Sequence, residues 1–313
     1  MSASGGFREQ NHTSLPTGRD IPLLLGGIIG IGMSGPLIAL SAMPIVALIF
    51  WRNLGGALLM APFAIRSVIR NHLLQGDRER KAIYWSALAG FVLALHFIGF
   101  FIAMRFTSVA AGTALTALQP IFAAIYIRFL GGHIPTKAWL GMAISFVGVL
   151  IITGVDLTIS WRAFLGDLAA IVCAALSALY VLIGAKAQRT IQTSVYTSVC
   201  YASCALTALP VTLLLGDPFI DYPTREWLLL IALILGSQIL GHTMFNFSLK
   251  RVSPTVVSLI VFFEVPVGAL FAWWWIDQVP PIGTIPGIVI LLIGCALFVT
   301  RRAETRDESA EAR

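Results

Sequence analysis

The stretch that decides the fold runs from His96 to Thr153, beginning HFIGFFIAMRFTSVAAGTALTALQPIFAA and closing with IPTKAWLGMAISFVGVLIIT. It aligns without a gap with His242 to Val299, and the hydropathy of the two stretches keeps in step. The identical pairs are His96/His242, Phe101/Phe247, Arg105/Arg251, Pro120/Pro266, Ala123/Ala269, Pro135/Pro281, Gly141/Gly287, Ile144/Ile290 and Gly148/Gly294. Arginine, proline and glycine match by chance less often than leucine or alanine, so the pattern indicates a duplicated helical unit.

The composition is that of a membrane protein. Apolar residues make up 58% of the chain, charged residues only 12%, and the mean hydropathy is +0.87. A water-soluble domain carries about 25% charged residues. The net charge of +6 is compatible with nucleic-acid binding. However, the basic residues lie between the apolar stretches rather than in one patch, so membrane topology explains them better.

Ten apolar stretches can be read as transmembrane helices, each of which needs roughly 20 residues to cross the bilayer core. Numbered segments 1 to 10, they are 21–40, 44–64, 82–103, 108–128, 137–153, 165–185, 194–215, 227–249, 254–275 and 283–300. The connections between them are short. Residues 1–20 and 301–313 are polar tails, which we expect to be mobile.

The distribution of lysine and arginine predicts the orientation. With the N-terminus in the cytoplasm, the outside loops carry only Arg105, Arg162 and Arg225, while Arg301 and Arg302 end the last segment on the inside. The basic residues of the inside loops are Arg66, Arg70, Arg78, Arg80, Lys81, Arg128, Lys137, Lys186, Arg189, Lys250 and Arg251. This bias predicts a multi-pass protein of the cytoplasmic (inner) membrane with both termini in the cytoplasm.

An odd number of segments in each half reverses the direction of crossing. Residues 21–153 and 165–300 each hold five segments, so Arg105 is on the outside and its equivalent, Arg251, on the inside. The predicted fold is an all-α integral membrane protein. Its ten transmembrane helices form a 5+5 inverted-topology repeat about a pseudo-twofold axis in the membrane plane.

Polar side chains near the bilayer centre are costly, so they are candidates for a solute site. A rise of about 1.5 Å per residue places most of them near the centre, with His96 and His242 on opposite sides of it. The candidate binding residues are Arg52, Asn53, His96, Gln119, Gln238, His242 and Glu264. Each histidine could carry a proton or make one interhelical hydrogen bond, and Tyr180 and Tyr201 could line a cavity or only pack.

Arg52 and Glu264 admit two interpretations. They neutralise each other as a buried ion pair, or they bind a zwitterionic solute, with Arg52 taking a carboxylate and Glu264 an ammonium group or a proton. The two are not exclusive, because a solute can compete for one partner. Glu264 aligns with Leu118 of the first half, so the polar groups are asymmetric even where the scaffold repeats.

Pro120 and Pro266 occupy equivalent positions in the middle of segments 4 and 9. Each proline removes one backbone hydrogen bond and leaves the carbonyl four residues earlier without its usual partner. The two prolines are either tolerated kinks or hinges on which each half pivots.

One face of segment 4 is polar. Thr113, Thr116 and Gln119 follow at three-residue intervals, which places them on the same side of a helix. We expect that side to face something other than lipid.

Segments 5 and 10 carry no ionisable residue near their centres. Each has two glycines seven residues apart, Gly141/Gly148 and Gly287/Gly294. Glycine lets helix backbones approach closely, so we expect these segments to have a structural role.

Several functional classes lack the residues they need. The HExxH motif of zinc proteases and the GxxxxGK[ST] motif of nucleotide-binding loops are absent, and no lysine lies mid-segment for a retinal Schiff base. The acidic residues predicted at the membrane surfaces, away from Glu264, are Asp156, Asp167, Asp217, Asp221 and Asp277. We therefore expect no enzyme, no catalytic residue, no metal and no cofactor.

Three stretches carry a family resemblance: PIVALIFWRNLGGALLMAP with Arg52 mid-helix, TSVAAGTALTALQPIFAAI, and its echo SPTVVSLIVFFEVPVGALF. With the inverted repeat, they make the chain similar to the ten-helix EamA-type branch of the drug/metabolite transporter superfamily. The resemblance implies an inner-membrane carrier for amino acids, small metabolites or drugs. It also implies that segments 1–4 and 6–9 surround a central cavity, with segments 5 and 10 at the periphery.

These observations favour a secondary-active transporter that exports a small amino-acid-like or amphipathic solute by alternating access, driven by a gradient. A passive channel or facilitator of the same fold, an importer and an exchanger are the alternatives. The expected partners are the solute and the lipid bilayer, without nucleic acid. A monomer is sufficient, and a homodimer is the alternative assembly.

Overall fold

The computed structural model describes residues 21–71, 76–131, 136–248 and 262–311. Within these ranges the regular secondary structure is helical, without strands. In chain order the helices are α1 (Ile21–Gly32), α2 (Ser34–Leu40), α3 (Ile45–Asn71), α4 (Asp77–Phe106), α5 (Val109–Thr116), α6 (Gln119–Phe129), α7 (Thr136–Ile159), α8 (Trp161–Gln188), α9 (Thr193–Leu215), α10 (Thr224–Ala232), the π-helix Leu233–Thr243, α11 (Met244–Ser248), α12 (Glu264–Ile276) and α13 (Thr284–Glu311).

Eight helical spans within the described ranges are long and apolar enough to cross a membrane. They coincide with segments 1 to 8 and are Ile21–Leu40, Ile45–Arg70, Asp77–Phe106, Val109–Phe129, Trp139–Ile159, Trp161–Gln188, Thr193–Leu215 and Thr224–Thr243. Segment 9 is described only from residue 262 onward, as α12. Segment 10 contains a shorter apolar helix, Thr284–Phe298.

Several helices extend beyond their predicted ends. The connector predicted between residues 153 and 165 shrinks to Ser160, whose hydroxyl caps α8 by accepting a hydrogen bond of 3.0 Å from the Ala163 amide. Within the predicted tail after residue 300, α13 continues to Glu311. Hydropathy marks only the apolar part of a helix, whereas its polar ends continue into the headgroups and water. The N-terminal tail lies outside the described residues.

The two prolines lie at helix starts rather than in helix interiors. Pro120 occupies the first turn of α6 after a break at Ala117 and Leu118, and Pro266 the first turn of α12. A proline in a first helical turn removes no intrahelical hydrogen bond. The carbonyl of Phe262, expected to lose its partner, accepts a hydrogen bond from the Val265 amide at 3.3 Å. The prediction that the two prolines lie in helix interiors is therefore wrong, although both lie within their predicted segments.

The helices α7 and α13 pack antiparallel through their glycines. A Cβ atom at Gly141 would lie 2.7 Å from the carbonyl oxygen of Gly294, and one at Gly148 would lie 2.7 Å from that of Gly287. Because Gly141 aligns with Gly287 and Gly148 with Gly294, superposing one half of the chain on the other turns each of these contacts into the other. The backbones are too close for any larger residue, as the glycine spacing predicts.

The outer surface of the bundle is apolar. Large side chains of α7 that are half or more exposed include Phe146 and Leu150, at 61% and 55%. Such a surface has no favourable contact with water but matches a hydrocarbon interior. On the inside, α4 packs along α8 and α9, and both α4 and α8 carry side chains that line the central cavity.

Candidate functional site

A cavity of about 230 Å³ lies inside the helical bundle. Side chains from the first half, on α1, α2, α4, α5 and α6, face side chains from α8, the π-helix, α11 and α12. Aromatic rings form much of its wall: Phe97, Phe100, Tyr180, Phe245 and Phe262. A solute in this space would therefore meet mostly apolar surface with a few polar groups, which is the usual composition of a small-molecule site.

Four of the predicted binding residues line this cavity, namely His96, Gln119, His242 and Glu264. Gln119 accepts a hydrogen bond of 3.0 Å from the Ser177 hydroxyl. The Nδ1 atom of His96 lies 3.1 Å from the carbonyl oxygen of Cys173, so this ring is oriented by α8. Its ring also stacks on Phe100, with centroids 6.2 Å apart.

The other three predicted residues, Arg52, Asn53 and Gln238, form a hydrogen-bonded group that is fully buried behind the cavity wall. The Nε atom of Arg52 donates a 2.8 Å hydrogen bond to Gln238 Oε1. The amide nitrogen of Gln238 in turn donates to Asn53 Oδ1 at 3.2 Å. The Asn53 amide nitrogen donates to the Ile49 carbonyl at 2.8 Å. The group joins α3 to the π-helix.

Arg52 reaches the cavity only through two residues of its wall. Its Nη1 atom donates to the Ser34 hydroxyl at 3.4 Å, and its guanidinium carbon lies 4.4 Å from the centre of the Phe97 ring. The Phe101 ring is at 5.8 Å. A guanidinium over an aromatic face is stabilised by the ring quadrupole. The remaining nitrogen, Nη2, is buried without a hydrogen-bond partner.

Arg52 and Glu264 do not form a direct ion pair. The salt bridge found within the described part of the chain joins Arg225 to Glu226 instead. The two charges still interact electrostatically over a longer distance. Glu264 faces the cavity, and it makes no hydrogen bond or ion pair with another described residue. Mutual neutralisation by contact is thus not the arrangement in this conformation, and the carboxyl group is open to a ligand in the cavity.

The polar stripe of segment 4 faces the cavity. Thr113, Thr116 and Gln119 all line it, although the Thr113 hydroxyl also donates to the Val109 carbonyl of its own helix at 2.7 Å. Tyr180 lines the cavity as well, whereas Tyr201 is buried elsewhere, with its hydroxyl 3.5 Å from that of Thr243.

Several lining residues were not singled out from the sequence. They are Ser34, Phe97, Phe100, Ser177 and Phe245. Phe97 and Phe100 could have been predicted from the sequence, because they follow the candidate residue His96 by one and four positions within the repeated stretch. Nothing in the sequence marks Ser34 and Ser177 as lining residues, since a serine in a transmembrane helix most often makes a hydrogen bond to the backbone of its own helix.

Two aspartates predicted at the membrane surfaces are buried against each other. Asp156 and Asp167 are 2% and 0% exposed, and Asp156 Oδ2 accepts a 2.7 Å hydrogen bond from the Thr107 hydroxyl. Neither oxygen of Asp167 has a hydrogen-bond partner. The chain therefore contains a carboxylate pair, which the depth estimate missed because these helix ends pack against the turn after α4. Neither aspartate lines the cavity.

The fold and the cavity define a class: a multi-pass membrane protein with a solute-sized chamber between its helices. The sequence profile of the EamA-like transporter family matches residues 21–154 and 164–300. The chain belongs to this family of membrane transporters.

Individual relatives agree with this assignment. The pseudopaline exporter CntI of Pseudomonas aeruginosa, in strains UCBPP-PA14 and PAO1, is 24% identical over 268 residues, which cover 84% of this chain and 89% of the relative. An uncharacterized transporter of Archaeoglobus fulgidus is 26% identical over 220 residues, covering 69% and 75%. A crystal structure with 19% identity has the same fold, with a TM-score of 0.60 over 91% of this chain and 98% of the other.

Proposed function

We propose that this transporter exports a small amino-acid-like or amphipathic solute through the central cavity by alternating access, driven by a gradient. The observation that carries the proposal is the central cavity of about 230 Å³, whose carboxyl group, Glu264, makes no hydrogen bond or ion pair with another described residue. Drug-sized sites are typically 300–1,000 Å³. The smaller volume favours a solute of metabolite size, and the similarity to an exporter favours the outward direction.

Glu264 is the candidate coupling group. A carboxyl group in a low-dielectric chamber is stable when it is protonated or paired with a cation, so a proton and a cationic solute compete for it. Such competition links solute movement to a proton gradient. His96 and His242 line the same cavity and are further ionisable groups beside Glu264.

Arg52 has a structural role in this conformation. Its contacts with Gln238, Ser34 and Phe97 keep the guanidinium out of the cavity lining, although its free Nη2 atom leaves one donor for a different state. We assign Asn53 and Gln238 to the same supporting group.

Alternating access requires two rigid parts that pivot. We propose that the parts are the two inverted five-helix repeats, residues 21–153 and 165–300, which cross the inner membrane with both termini in the cytoplasm. The exchange of glycine contacts between α7 and α13 supports the twofold relation, and the lysine and arginine distribution supports the orientation. Pro120 and Pro266 lie at equivalent positions in the first turns of α6 and α12, and they are the proposed hinges.

The test is a transport assay with the purified chain reconstituted in liposomes. A panel of labelled zwitterionic, cationic and anionic solutes is measured with and without a pH gradient. Saturable transport that accelerates with the gradient supports the proposal. Non-saturable flux would indicate a channel or facilitator, and transport only in the opposite direction, or only with solute on both sides, would indicate an importer or an exchanger.

A further inference from the structure

A second cavity, distinct from the central one, opens where α3, α9 and the end of segment 8 meet. Its volume is about 390 Å³. It is formed by the last turns of α3, the first residues of α9, and the π-helix with α11. By the charge distribution these ends are cytoplasmic. We call this cavity the basic cleft.

Among the described residues, the charged ones that line the basic cleft are Arg66 and Arg70, which lie one helical turn apart on α3. Both side chains are exposed, and neither forms an ion pair within the part of the chain that the structure describes. The part of the chain that the structure describes places no acidic residue in the lining of the cleft. Two unpaired guanidinium groups on one side of a cavity attract an anion, and their planar donors match phosphate oxygens.

The opposite side of the basic cleft is the N-terminus of α9. This helix is 23 residues long and has no acidic residue in its first turn. The side chain of its N-cap residue, Gln192, does not accept a hydrogen bond from the first amides of the helix. Its first amides and its dipole therefore favour a negative group.

A buried hydroxyl group supplies independent evidence for a ligand. Thr193 lines the basic cleft and is 1% exposed, and its Oγ1 atom has no hydrogen-bond partner among the described residues. A buried hydroxyl left unpaired costs about 1–3 kcal/mol, so a partner from outside the protein is favoured. An anionic oxygen between Thr193 and the two arginines would satisfy it.

The basic cleft also has an apolar wall that faces the outer surface of the bundle. Phe63 and Phe247 line it and are 63% and 38% exposed on the outer surface of the bundle. A ligand that fits both walls has an anionic head and a hydrocarbon part. Basic pockets between transmembrane helices on the cytoplasmic side suit phospholipid headgroups.

We propose that the basic cleft binds an anionic phospholipid. The headgroup phosphate lies between Arg66, Arg70 and the start of α9, and the acyl chains cover Phe63 and Phe247. The π-helix contributes Thr243 to this cleft and the adjacent His242 to the central cavity. A bound lipid therefore stabilises one wall of the transport chamber. The proposal does not depend on which solute is transported.

The experiment is a thermal denaturation series on the purified full-length chain in detergent, titrated with phosphatidylglycerol, phosphatidylcholine or inorganic phosphate. We expect the midpoint to rise with phosphatidylglycerol only, because a ligand that binds the folded state raises its stability. The Arg66→Gln/Arg70→Gln double variant should need about 30-fold more lipid for the same shift, since each basic residue contributes about fivefold at a membrane surface. Thr193→Val should also weaken the response.

The matched control is Arg78→Gln/Arg128→Gln, which removes two exposed arginines from the same predicted side but outside the cleft. It should respond to phosphatidylglycerol as the unaltered chain does. The proposal is overturned if the Arg66/Arg70 variant also responds normally, if the control loses the response equally, or if the unaltered chain does not respond. An equal shift with inorganic phosphate at the same concentration would replace the lipid by a soluble oxyanion.

Discussion

Arg52 donates a hydrogen bond of 2.8 Å from Nε to Oε1 of Gln238, and both side chains are fully buried. The bond ties α3 to the π-helix, which carries His242 to the cavity. A charged side chain at this depth is expensive unless it is held by hydrogen bonds. The supporting group behind the wall therefore joins α3 to the π-helix, and we propose that it stabilises the wall of the chamber rather than binding the solute.

Replacing Arg52 by lysine should destabilise the chain without selecting among solutes. Lysine lacks the planar fork that bonds Gln238 while stacking on Phe97, so we expect a loss of about 1–3 kcal/mol. Thermal unfolding in detergent measures this loss of stability, with Arg78→Lys, at an exposed arginine, as the control. Transport that falls much further for solutes bearing a carboxylate than for those without one would contradict this role and assign Arg52 to the solute.

Glu264→Gln should abolish the effect of a pH gradient on transport while leaving expression and folding intact. The amide keeps the size of the side chain but cannot exchange a proton. Uptake into proteoliposomes with and without the gradient gives the measurement, and Asp221→Asn, at an exposed loop position, is the control. Unchanged gradient dependence in the variant would remove Glu264 from the coupling mechanism.

Asp167→Asn should raise stability. Neither carboxylate oxygen of Asp167 has a hydrogen-bond partner, and Asp156 is its acidic neighbour. An amide removes the repulsion and can donate a hydrogen bond to Asp156, which we expect to contribute about 1–3 kcal/mol. Differential scanning calorimetry of the purified variant and the unaltered chain measures the change in melting temperature. A clear drop in its melting temperature would instead indicate that a cation neutralises the pair.

Gly148→Ala and Gly154→Ala should change stability in opposite directions, although both glycines lie on α7. A Cβ atom at Gly148 would meet the Leu291 nitrogen at 2.5 Å, whereas one at Gly154 has nothing within 4 Å. The first change should cost about 1–3 kcal/mol through overpacking, and the second should stabilise the helix by about 0.5–1 kcal/mol. Equal melting temperatures for the two variants would show that α7 and α13 do not pack as described.

The sequence predicted much of the architecture because hydropathy and helix length are local properties. Segments 1 to 8 match membrane-spanning helices, and the glycines of α7 and α13 make the close contacts that their spacing predicts. The local conformation at Pro120 and Pro266 was less predictable. The same residue kinks a helix interior or starts a new helix, depending on whether the preceding turn unwinds, and neighbouring helices decide that.

The sequence predicted candidate residues for the site, but not which of them line the cavity and which lie behind its wall. Gln119 and Glu264 line the cavity, whereas Arg52 and Gln238 lie behind its wall. Asp156 and Asp167 were placed at the surfaces because they flank apolar stretches, yet both are buried at helix ends. In each case the missing information was the neighbour across the helix interface.

The sequence by itself determined that the chain is a bundle of helices long and apolar enough to cross a membrane, and it predicted a depth for each polar residue. Depth follows from a constant rise of about 1.5 Å per residue along a helix. Only the tertiary structure decided which of those residues face the chamber, which support its wall, and which form the basic cleft. Those outcomes depend on the rotation of each helix about its axis and on the partner it packs against, and side-chain contacts between distant parts of the chain set both.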